Sequence, residues 1–214
     1  MQADKLADLF KRAQQLRVTL TPETAAQLLR LLQELEQWNR AFNLTAITDE
    51  EAMIAGHILD SLAAAKDLAG SRIADLGTGA GFPGLPLAIV HPDRRFTLID
   101  ATAKKVRFVA HAARALSLAN VTAMHARAED LSPDTPFDTI LARAVTSLAG
   151  LAALARPIAG PGTLLLAYKG QRPDDEIAAL PPDWELMYVR PVRVPGLDAE
   201  RCIVALKFRP GMRA

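Results

Sequence analysis

A glycine-rich segment, residues 71–84, constrains the fold of this chain more than any other feature. Residues 73–76, apolar except for Asp75, predict a short buried strand, and glycines follow at positions 77, 79, 81 and 84. The apolar residues 85–90 then suit a helix that starts where the loop ends. Glycine at such a turn lets backbone N–H groups approach a ligand that a side chain would hold at a distance. The segment therefore predicts a strand, loop and helix of an α/β sheet, with a ligand site at the loop.

A carboxylate at the end of the next strand indicates what the loop binds. Residues 96–99 form this second predicted strand, and Asp100 follows directly. In an α/β sheet, a carboxylate at this place can accept two hydrogen bonds from the hydroxyls of a ribose. We therefore expect a cofactor that contains adenosine, bound by Asp100 together with Gly77, Gly79 and Gly81.

The identity of the cofactor depends on whether the loop can bind phosphate. Residues 79–84 fit the dinucleotide pattern G-x-G-x-x-G, although that match alone is weak. Pro83 and Pro86 remove backbone donors from the turn that would hold a pyrophosphate, and no lysine follows the loop. The remaining pattern, Asp75-x-Gly77-x-Gly79-x-Gly81, is typical of S-adenosylmethionine methyltransferases. A sulfonium cofactor carries no phosphate, so an acidic loop with few donors suits it.

Composition limits the class of protein. The 214 residues allow one large α/β domain with an appendage, and half of them are apolar, which is enough for a sizeable core. The charged N-terminal residues exclude the apolar core of a signal peptide, and no stretch approaches a membrane span. The single Cys202 cannot form an internal disulfide, and the four histidines lack metal-binding spacing. We expect a cytoplasmic protein that holds no metal and acts as a monomer.

The rest of the chain alternates between strand and helix patterns. Residues 1–70 predict an N-terminal helical extension, in which Thr21 and Pro22 begin a helix with a leucine-rich face and residues 52–68 form another. Residues 71–214 predict a Rossmann-like domain, a mostly parallel doubly wound sheet that closes with an antiparallel hairpin. Its predicted later elements are strands 121–125, 139–142, 163–168, 186–194 and 202–208, and helices 102–117, 148–155 and 174–180.

Functional groups are expected at the carboxyl ends of the strands. Ala128 and Glu129 follow the third strand, where a backbone N–H and a carboxylate can read the edge of an adenine, or can simply begin a helix. Arg143 ends the fourth strand, and a buried arginine needs a ligand or an ion-pair partner. Lys169 ends the fifth strand, either in the site or as an exposed turn residue.

Basic residues concentrate in two stretches although the net charge is only +1. Such clusters bind phosphates in some proteins and form an ordinary solvated face in others. The cluster near the second strand comprises Arg94, Arg95, Lys104, Lys105, Arg107 and Arg114. The cluster at the C-terminal end comprises Arg190, Arg193, Arg201, Lys207, Arg209 and Arg213.

Several motifs together resemble one family. They are Asn39-x-x-x-Asn43-Leu44-Thr45, residues 57–61 with the sequence His-Ile-Leu-Asp-Ser, the glycine loop that continues through Pro83, residues 142–144 with the sequence Ala-Arg-Ala, and residues 168–170 with the sequence Tyr-Lys-Gly. In this order, over nearly the whole chain, they resemble the RsmG family, also called GidB.

The resemblance implies a Rossmann-like methyltransferase that uses S-adenosylmethionine to methylate N7 of a guanine in bacterial 16S ribosomal RNA. Its partner would be that RNA or the small ribosomal subunit, and its second product S-adenosylhomocysteine. By position, the resemblance assigns cofactor contacts to Gly77, Phe82, Ala128, Glu129 and Arg143. The resemblance implies an apolar contact for Phe82, and residues 208–214 do not match the long basic tail that some members carry, so we do not expect RNA contact through a tail.

The chemistry expected for N7 agrees with what the sequence lacks. Methylation at C5 of a pyrimidine needs a cysteine nucleophile, and Cys202 lies on the last predicted strand. Methylation of an exocyclic amine usually needs an Asn/Asp-Pro-Pro-aromatic sequence after the fourth strand, which here reads Arg-Ala-Val-Thr. Guanine N7 is already an unprotonated lone pair, so orientation and desolvation suffice. Arg143 and Lys169 are the predicted positioning groups, and His57 with Asp60 either shapes the pocket or forms a structural pair.

Two other functions fit parts of the sequence. A nicotinamide oxidoreductase would place Asp100 on a ribose in the same way, and NADH would then protect the protein against heat. An RNA-binding assembly factor that kept the fold would bind ribosomal RNA without transferring a methyl group. The intact glycines and Asp100 favour the methyltransferase over both.

Overall fold

A seven-stranded sheet organises the chain in the computed structural model, which describes residues 2–211, with side chains from residue 4. Arg213 of the predicted basic C-terminal cluster lies outside the described residues. The strand order is β3-β2-β1-β4-β5-β7-β6, and β7 is antiparallel to both of its neighbours while the other pairs are parallel. The strands are β1 Arg72–Leu76, β2 Arg95–Asp100, β3 Val121–His125, β4 Phe137–Arg143, β5 Ala159–Lys169, β6 Trp184–Pro191 and β7 Cys202–Phe208.

The order of the strands confirms the predicted mostly parallel sheet with a C-terminal antiparallel hairpin. It adds that β7 inserts between β5 and β6, so β6 forms the edge. The chain leaves β1 toward β2 and β3 on one side, then returns to β4 on the other. Ligands of such sheets bind at this reversal, outside the carboxyl ends of the strands. The region outside the carboxyl ends of β1 and β4, called the crevice below, is therefore the expected ligand site.

Eight α-helices are described in residues 2–211. The predicted helix over residues 52–68 is interrupted, because α3 and α4 are joined by a π-helical segment, Ile54–Leu59, and a 3₁₀ turn follows at Ala65–Asp67. Widened turns of this kind are frequent at functional sites. The helices are α1 Gln2–Gln15, α2 Pro22–Phe42, α3 Glu50–Met53, α4 Asp60–Leu62, α5 Gly84–Val90, α6 Ala103–Ala115, α7 Leu148–Ala155 and α8 Asp174–Ala178.

The N-terminal helices share a core with one face of the sheet. Thr21 caps α2 as predicted, since its hydroxyl accepts from the backbone N–H of Thr24. Leu28 on the buried face of α2 belongs to the same cluster as Ile73 of β1 and Phe96 of β2. Burial of these side chains fixes the helices against α5 and α6. This core contains residues from both sides of position 70. The division into an extension, 1–70, and a domain, 71–214, stays a prediction.

The opposite face of the sheet has a core of its own. Ala74 and Leu76 point there from β1 and pack with Ile140 of β4 and Leu151 of α7. Successive residues of β1 thus enter different cores, which is the pattern of a parallel sheet covered on both faces. With both faces covered, the carboxyl edge of the sheet is where backbone and polar side chains remain available to a ligand.

Candidate active site

The glycine loop after β1 is held by a buried carboxylate. Oδ2 of Asp75 accepts hydrogen bonds from Oγ1 of Thr78 at 2.6 Å and from the backbone N–H of Gly84 at 2.9 Å. Burial raises the pKa of Asp75 to about 7, against the lowering effect of those two bonds. Asp75 therefore holds the loop in place through buried hydrogen bonds. It also occupies the backbone N–H at the start of α5, which a bound phosphate would need as a donor.

The three loop glycines all have positive φ but differ in what surrounds them. A Cβ on Gly77 would meet Val145, and one on Gly81 would meet Leu85, so these two glycines allow close packing. A Cβ on Gly79 would meet nothing within 4 Å. Gly79 consequently borders open space at the carboxyl end of β1. That open side is the surface a bound cofactor would cover.

Asp100 links the end of β2 to this loop. Its Oδ2 accepts from the backbone N–H of Gly79 at 2.9 Å, and its Oδ1 accepts from the N–H of Thr102 at 2.8 Å. Nζ of Lys105 lies 3.8 Å from Oδ2. Each carboxylate oxygen can accept more than one hydrogen bond, so both keep capacity for a ribose hydroxyl. The predicted ribose acceptor thus lies beside the open glycine.

Ala128 and Glu129 occupy a 3₁₀ turn, Ala128–Asp130, just after β3. The Glu129 side chain is 56% exposed and lies 3.9 Å from the guanidinium of Arg127. The turn follows the carboxyl end of β3, the neighbour of β2 in the sheet. Their predicted contact with adenine stays a prediction.

Arg143 is half-buried at the end of β4, with its side chain 18% exposed, and is held by the N-terminal helices. Its Nη1 donates to the carbonyl oxygen of Gly56 and to Oδ2 of Asp60, each at 2.9 Å. The π-helical segment carries Gly56 and leads into Asp60 at the start of α4. Nε and Nη2 of Arg143 make no hydrogen bond within the described residues. The sequence predicted that Arg143 needs a partner, and the structure supplies Asp60.

Asp60 has a second arginine partner that the sequence analysis missed. Its Oδ1 accepts from Nε of Arg201, which precedes β7, at 2.9 Å. The carboxylate is 3% exposed and joins two guanidinium groups from separate parts of the sheet. Two positive charges share one negative charge, so the cluster of Asp60, Arg143 and Arg201 keeps a charge of +1. In the sequence, Asp60 belongs to the motif of residues 57–61. The spacing of that motif did not decide whether Asp60 shapes the pocket or forms a structural pair.

Phe82 packs between this cluster and His57. The rings of Phe82 and His57 stack with centroids 4.6 Å apart, and Cζ of Arg143 lies 5.9 Å from the Phe82 centroid. Nε2 of His57 lies 3.0 Å from Oγ1 of Thr45. Burial, reinforced by the charge of Arg143, lowers the pKa of His57 to about 4. His57 is thus neutral at pH 7, and it contacts Phe82 and Thr45 while Asp60 binds the two arginines.

Lys169 is tied to the loop after β4 and to α8. Its Nζ donates to the carbonyl oxygen of Thr146 at 3.0 Å and pairs with Oε2 of Glu176 at 2.8 Å. That same Oε2 accepts from the backbone N–H of Leu148 at 2.6 Å. The structure therefore joins Lys169 to the strand-end loop but reports no contact with Arg143. Its predicted role in turnover stays a prediction.

Val145 is an apolar residue that the sequence analysis did not single out. It is 38% exposed, follows Ala144, whose φ is +55°, and covers Gly77. A non-glycine residue with positive φ is uncommon and marks a constrained turn. In the sequence, the signal for Val145 was its position after the fourth strand, where methyltransferases that act on an exocyclic amine usually carry the Asn/Asp-Pro-Pro-aromatic sequence.

The predicted basic clusters separate between two edges of the sheet. Arg95 begins β2 at the amino edge, whereas Lys104 follows β2 at the carboxyl edge and donates to the carbonyl oxygen of Phe42. Arg201 precedes β7 at the carboxyl edge, but Lys207 pairs in register with Leu164 toward the amino end of β5. Arg201 and Lys207 therefore lie at opposite edges of the sheet, because they stand at opposite ends of β7.

Cys202 is 4% exposed, and burial raises the pKa of its thiol. A buried, protonated thiol is a poor nucleophile, which agrees with the exclusion of C5 chemistry. Within residues 2–211 there is no group of three His, Cys, Asp or Glu residues able to hold a metal. None of the helices described is both long and apolar enough to cross a bilayer.

The fold is similar to that of solved S-adenosylmethionine-dependent methyltransferases. One from Aquifex aeolicus superposes with a TM-score of 0.56 at 18% identity, covering 75% of this chain and 94% of that one. Another, from Thiobacillus denitrificans in complex with S-adenosylhomocysteine, gives 0.53 at 18% identity, with 82% and 98% covered. At these identities the likeness defines the class of fold.

Sequence comparison then defines the family. The family model for GidB, rRNA small subunit methyltransferase G, matches residues 24–204. "Ribosomal RNA small subunit methyltransferase G" of Xanthomonas oryzae pv. oryzae is 47% identical over 183 residues, 86% of each chain. Its namesake of Escherichia fergusonii is 40% identical over 204 residues, 95% of this chain and 97% of that one. The chain belongs to the small-subunit ribosomal RNA methyltransferase G family.

Proposed function

We propose that this protein transfers a methyl group from S-adenosylmethionine to N7 of a guanine in the 16S RNA of the small ribosomal subunit. The observation that carries the proposal is the open side of Gly79 beside Asp100, on one side of a crevice whose other side ends in Arg143. The proposed cofactor cradle and the half-buried Arg143 thus both lie at the carboxyl ends of the strands where the strand order reverses. Family membership and the neighbouring methyltransferase folds support this reading.

The cradle fits S-adenosylmethionine better than a dinucleotide. Asp75 takes the N–H of Gly84, and prolines stand at positions 83 and 86, so the turn offers little to a pyrophosphate. Asp100 would hold the ribose, Gly77, Gly79 and Gly81 would let the cofactor approach the backbone, and Ala128 with Glu129 would flank the adenine. The bound cofactor supplies an electrophilic methyl group on a sulfonium ion.

The residues on the other side of the crevice orient the guanine. N7 attacks with its own lone pair, so no residue has to remove a proton first. Nη1 of Arg143 is fixed by Asp60 and Gly56, which leaves Nε and Nη2 to donate to O6 of the guanine or to its phosphate. Neutral His57 adds no positive charge near a sulfonium. Phe82 and Val145 supply apolar surface that excludes water.

The target guanine must lie outside a regular RNA helix. N7 is on the major-groove edge of the base, and the major groove of A-form RNA is too deep and narrow for side chains to read. An unpaired or extruded guanine can enter the crevice instead. We further propose that the protein works as a monomer in the cytoplasm, and that residues 1–70 act as an extension that completes the pocket of residues 71–214.

Methyl transfer to small-subunit particles tests the proposal. Particles from a strain that lacks this gene are incubated with the protein and labelled S-adenosylmethionine, and the RNA is digested to nucleosides. We expect label in 7-methylguanosine. Label at another atom, or none with folded protein, contradicts the proposal. The absence of transfer together with heat protection by NADH would favour the oxidoreductase, and RNA binding without transfer would favour the assembly factor.

Single-turnover rates then test the two predicted positioning groups. We expect Arg143→Ala and Lys169→Ala to slow transfer more than they weaken RNA binding, with the larger effect, about ten- to a hundredfold, for Arg143. Arg95→Ala is the control, because it removes an exposed arginine at the opposite edge of the sheet. Wild-type turnover by the Arg143 variant would show that Arg143 does not position the guanine. Wild-type turnover by the Lys169 variant would show that Lys169 only stabilises the loop after β4.

A further inference from the structure

A groove opens beside the crevice, between the loop after β5 and the loop that joins β6 to β7. Its volume is about 930 Å³, which is ample for a nucleotide. Val192 and Leu197 form its apolar floor, since both are partly buried against the core. Exposed Arg172 and Arg193 stand at its rim, and Arg201 lies at its inner end. The groove thus combines apolar side chains with cationic ones.

The arginines of the groove retain donors for a ligand. Arg193 makes no hydrogen bond or ion pair within the described residues. Arg201 uses Nε for Asp60 and Nη1 for the carbonyl oxygen of Glu200, which leaves Nη2. Arg172 is paired with Asp174 at 2.6 Å and is therefore less available. Arg193 and Arg201 are the two groups able to hold an anion here.

Two carboxylates in the lining narrow the choice of ligand. Asp198 and Glu200 are exposed and face the groove with the arginines. A peptide that presented several carboxylates would be repelled by them. A nucleotide would not, because its single phosphate can lie against the arginines while amino groups of its base donate to a carboxylate. The apolar floor suits the face of the base.

Arg201, which lines the groove, lies close to Arg143 of the crevice. Asp60 binds Arg201 with one oxygen and Arg143 with the other, both at 2.9 Å, so one carboxylate spans the two. A ligand in the groove is therefore next to whatever Arg143 holds. In an RNA strand, that neighbour is the adjoining nucleotide.

We propose that this groove binds the nucleotide next to the target guanine, with its phosphate on Arg193 and Arg201 and its base on Val192 and Leu197. The inference rests on the proposed function, which brings an extruded guanine to Arg143. Extrusion unstacks the flanking nucleotide as well, and apolar surface compensates for the lost stacking. The groove thereby helps to choose a non-helical target.

The test measures KM for small-subunit particles with Arg193→Glu and Arg193→Ala, with Arg95→Glu as the charge-matched control. Arg95 is exposed, makes no side-chain hydrogen bond within the described residues, and lies at the amino edge of the sheet. We expect KM to rise about tenfold for Arg193→Glu and less for Arg193→Ala, and to stay within twofold for Arg95→Glu. The affinity for S-adenosylmethionine and the melting temperature should match those of the wild type.

A second measurement distinguishes RNA from a ribosomal protein as the occupant. Binding of naked 16S RNA is followed across a salt series, where the loss of one phosphate contact flattens the slope by about 0.7. A rise in KM for particles without this change in RNA binding would mean that the groove contacts a ribosomal protein, which overturns the proposal. An unchanged KM for Arg193→Glu also overturns it. Failure of the proposed function is a separate result, since the wild type itself would then transfer no methyl group to N7.

Discussion

The two sides of the crevice are built in different ways. On the cofactor side, short-range bonds close the loop, since Asp75 reaches Gly84 and Asp100 reaches Gly79, 9 and 21 positions apart. On the side that we propose binds RNA, called the RNA side below, Asp60 binds Arg143 and Arg201, which are 83 and 141 positions away. The cofactor cradle is thus a local unit of sequence, whereas the RNA side exists only after the whole chain has folded.

This difference gives the N-terminal helices a chemical role. Asp60, His57 and Thr45 all come from the predicted extension, and through them it contacts Arg143, Arg201 and Phe82 at the carboxyl edge. A methyltransferase sheet without these helices would keep its glycine loop but leave two arginines without their buried partner. The extension therefore belongs to the RNA side of the site.

The largest effect is expected when the cofactor cradle is filled. Gly79→Val places a branched side chain into the open space beside Asp100, so we expect cofactor affinity to fall at least about a hundredfold while the core stays folded. Gly211→Val is the control, because Gly211 also has positive φ and open surroundings but lies beyond β7. Calorimetric titration with S-adenosylmethionine measures both. Normal binding by the Gly79 variant would make the loop purely structural.

Asp100→Ala tests the same side through its carboxylate. Loss of a charged acceptor for the ribose should weaken cofactor binding about ten- to a hundredfold. Asp138→Ala provides the comparison, since Asp138 likewise accepts two backbone N–H groups, from Ser71 and Arg72, but does so at the amino edge. Equal dissociation constants for the two variants, each shown to be folded, would remove Asp100 from the cofactor site.

Asp60→Asn tests the RNA side. We expect single-turnover methyl transfer to slow about tenfold and cofactor affinity to change less than twofold, because both arginines lose their charged partner. Asp67→Asn removes another arginine partner, that of Arg190, whose side-chain hydrogen bonds within the described residues involve neither Arg143 nor Arg201, and should leave turnover unchanged. If both variants lose stability and turnover in proportion, Asp60 supports the fold without positioning Arg143.

The sequence predicted what local patterns encode. Strands 121–125 and 202–208 and helix 148–155 were predicted to the residue, and the glycine loop and Asp100 were found because the motif and its strand are contiguous. The link from Asp60 to Arg201 could not be found in this way. It depends on the insertion of β7 between β5 and β6 and on the π-helical turn before Asp60, which are set by packing across the whole sheet.

The smallest effect is expected in the pH dependence of stability, where the two sides act in opposite directions. Folding raises the pKa of Asp75 from 3.8 to about 7, so the folded state holds a proton that the unfolded state releases, and this contribution to stability falls as the pH rises through that range. Folding lowers the pKa of His57 from 6.5 to about 4, so the unfolded state takes up the proton, and this contribution rises between about pH 4 and 6.5. The two contributions to stability oppose each other in the wild type.

We therefore expect the unfolding free energy of Asp75→Asn to rise more steeply with pH than that of the wild type. The unfolding free energy of His57→Gln should rise less steeply with pH than that of the wild type, or fall. Urea unfolding at pH 4.5, 5.5 and 6.5 measures the three slopes. Parallel curves for the wild type and both variants would contradict the assignment of a protonated Asp75 under the cofactor loop and a neutral His57 under the arginine cluster.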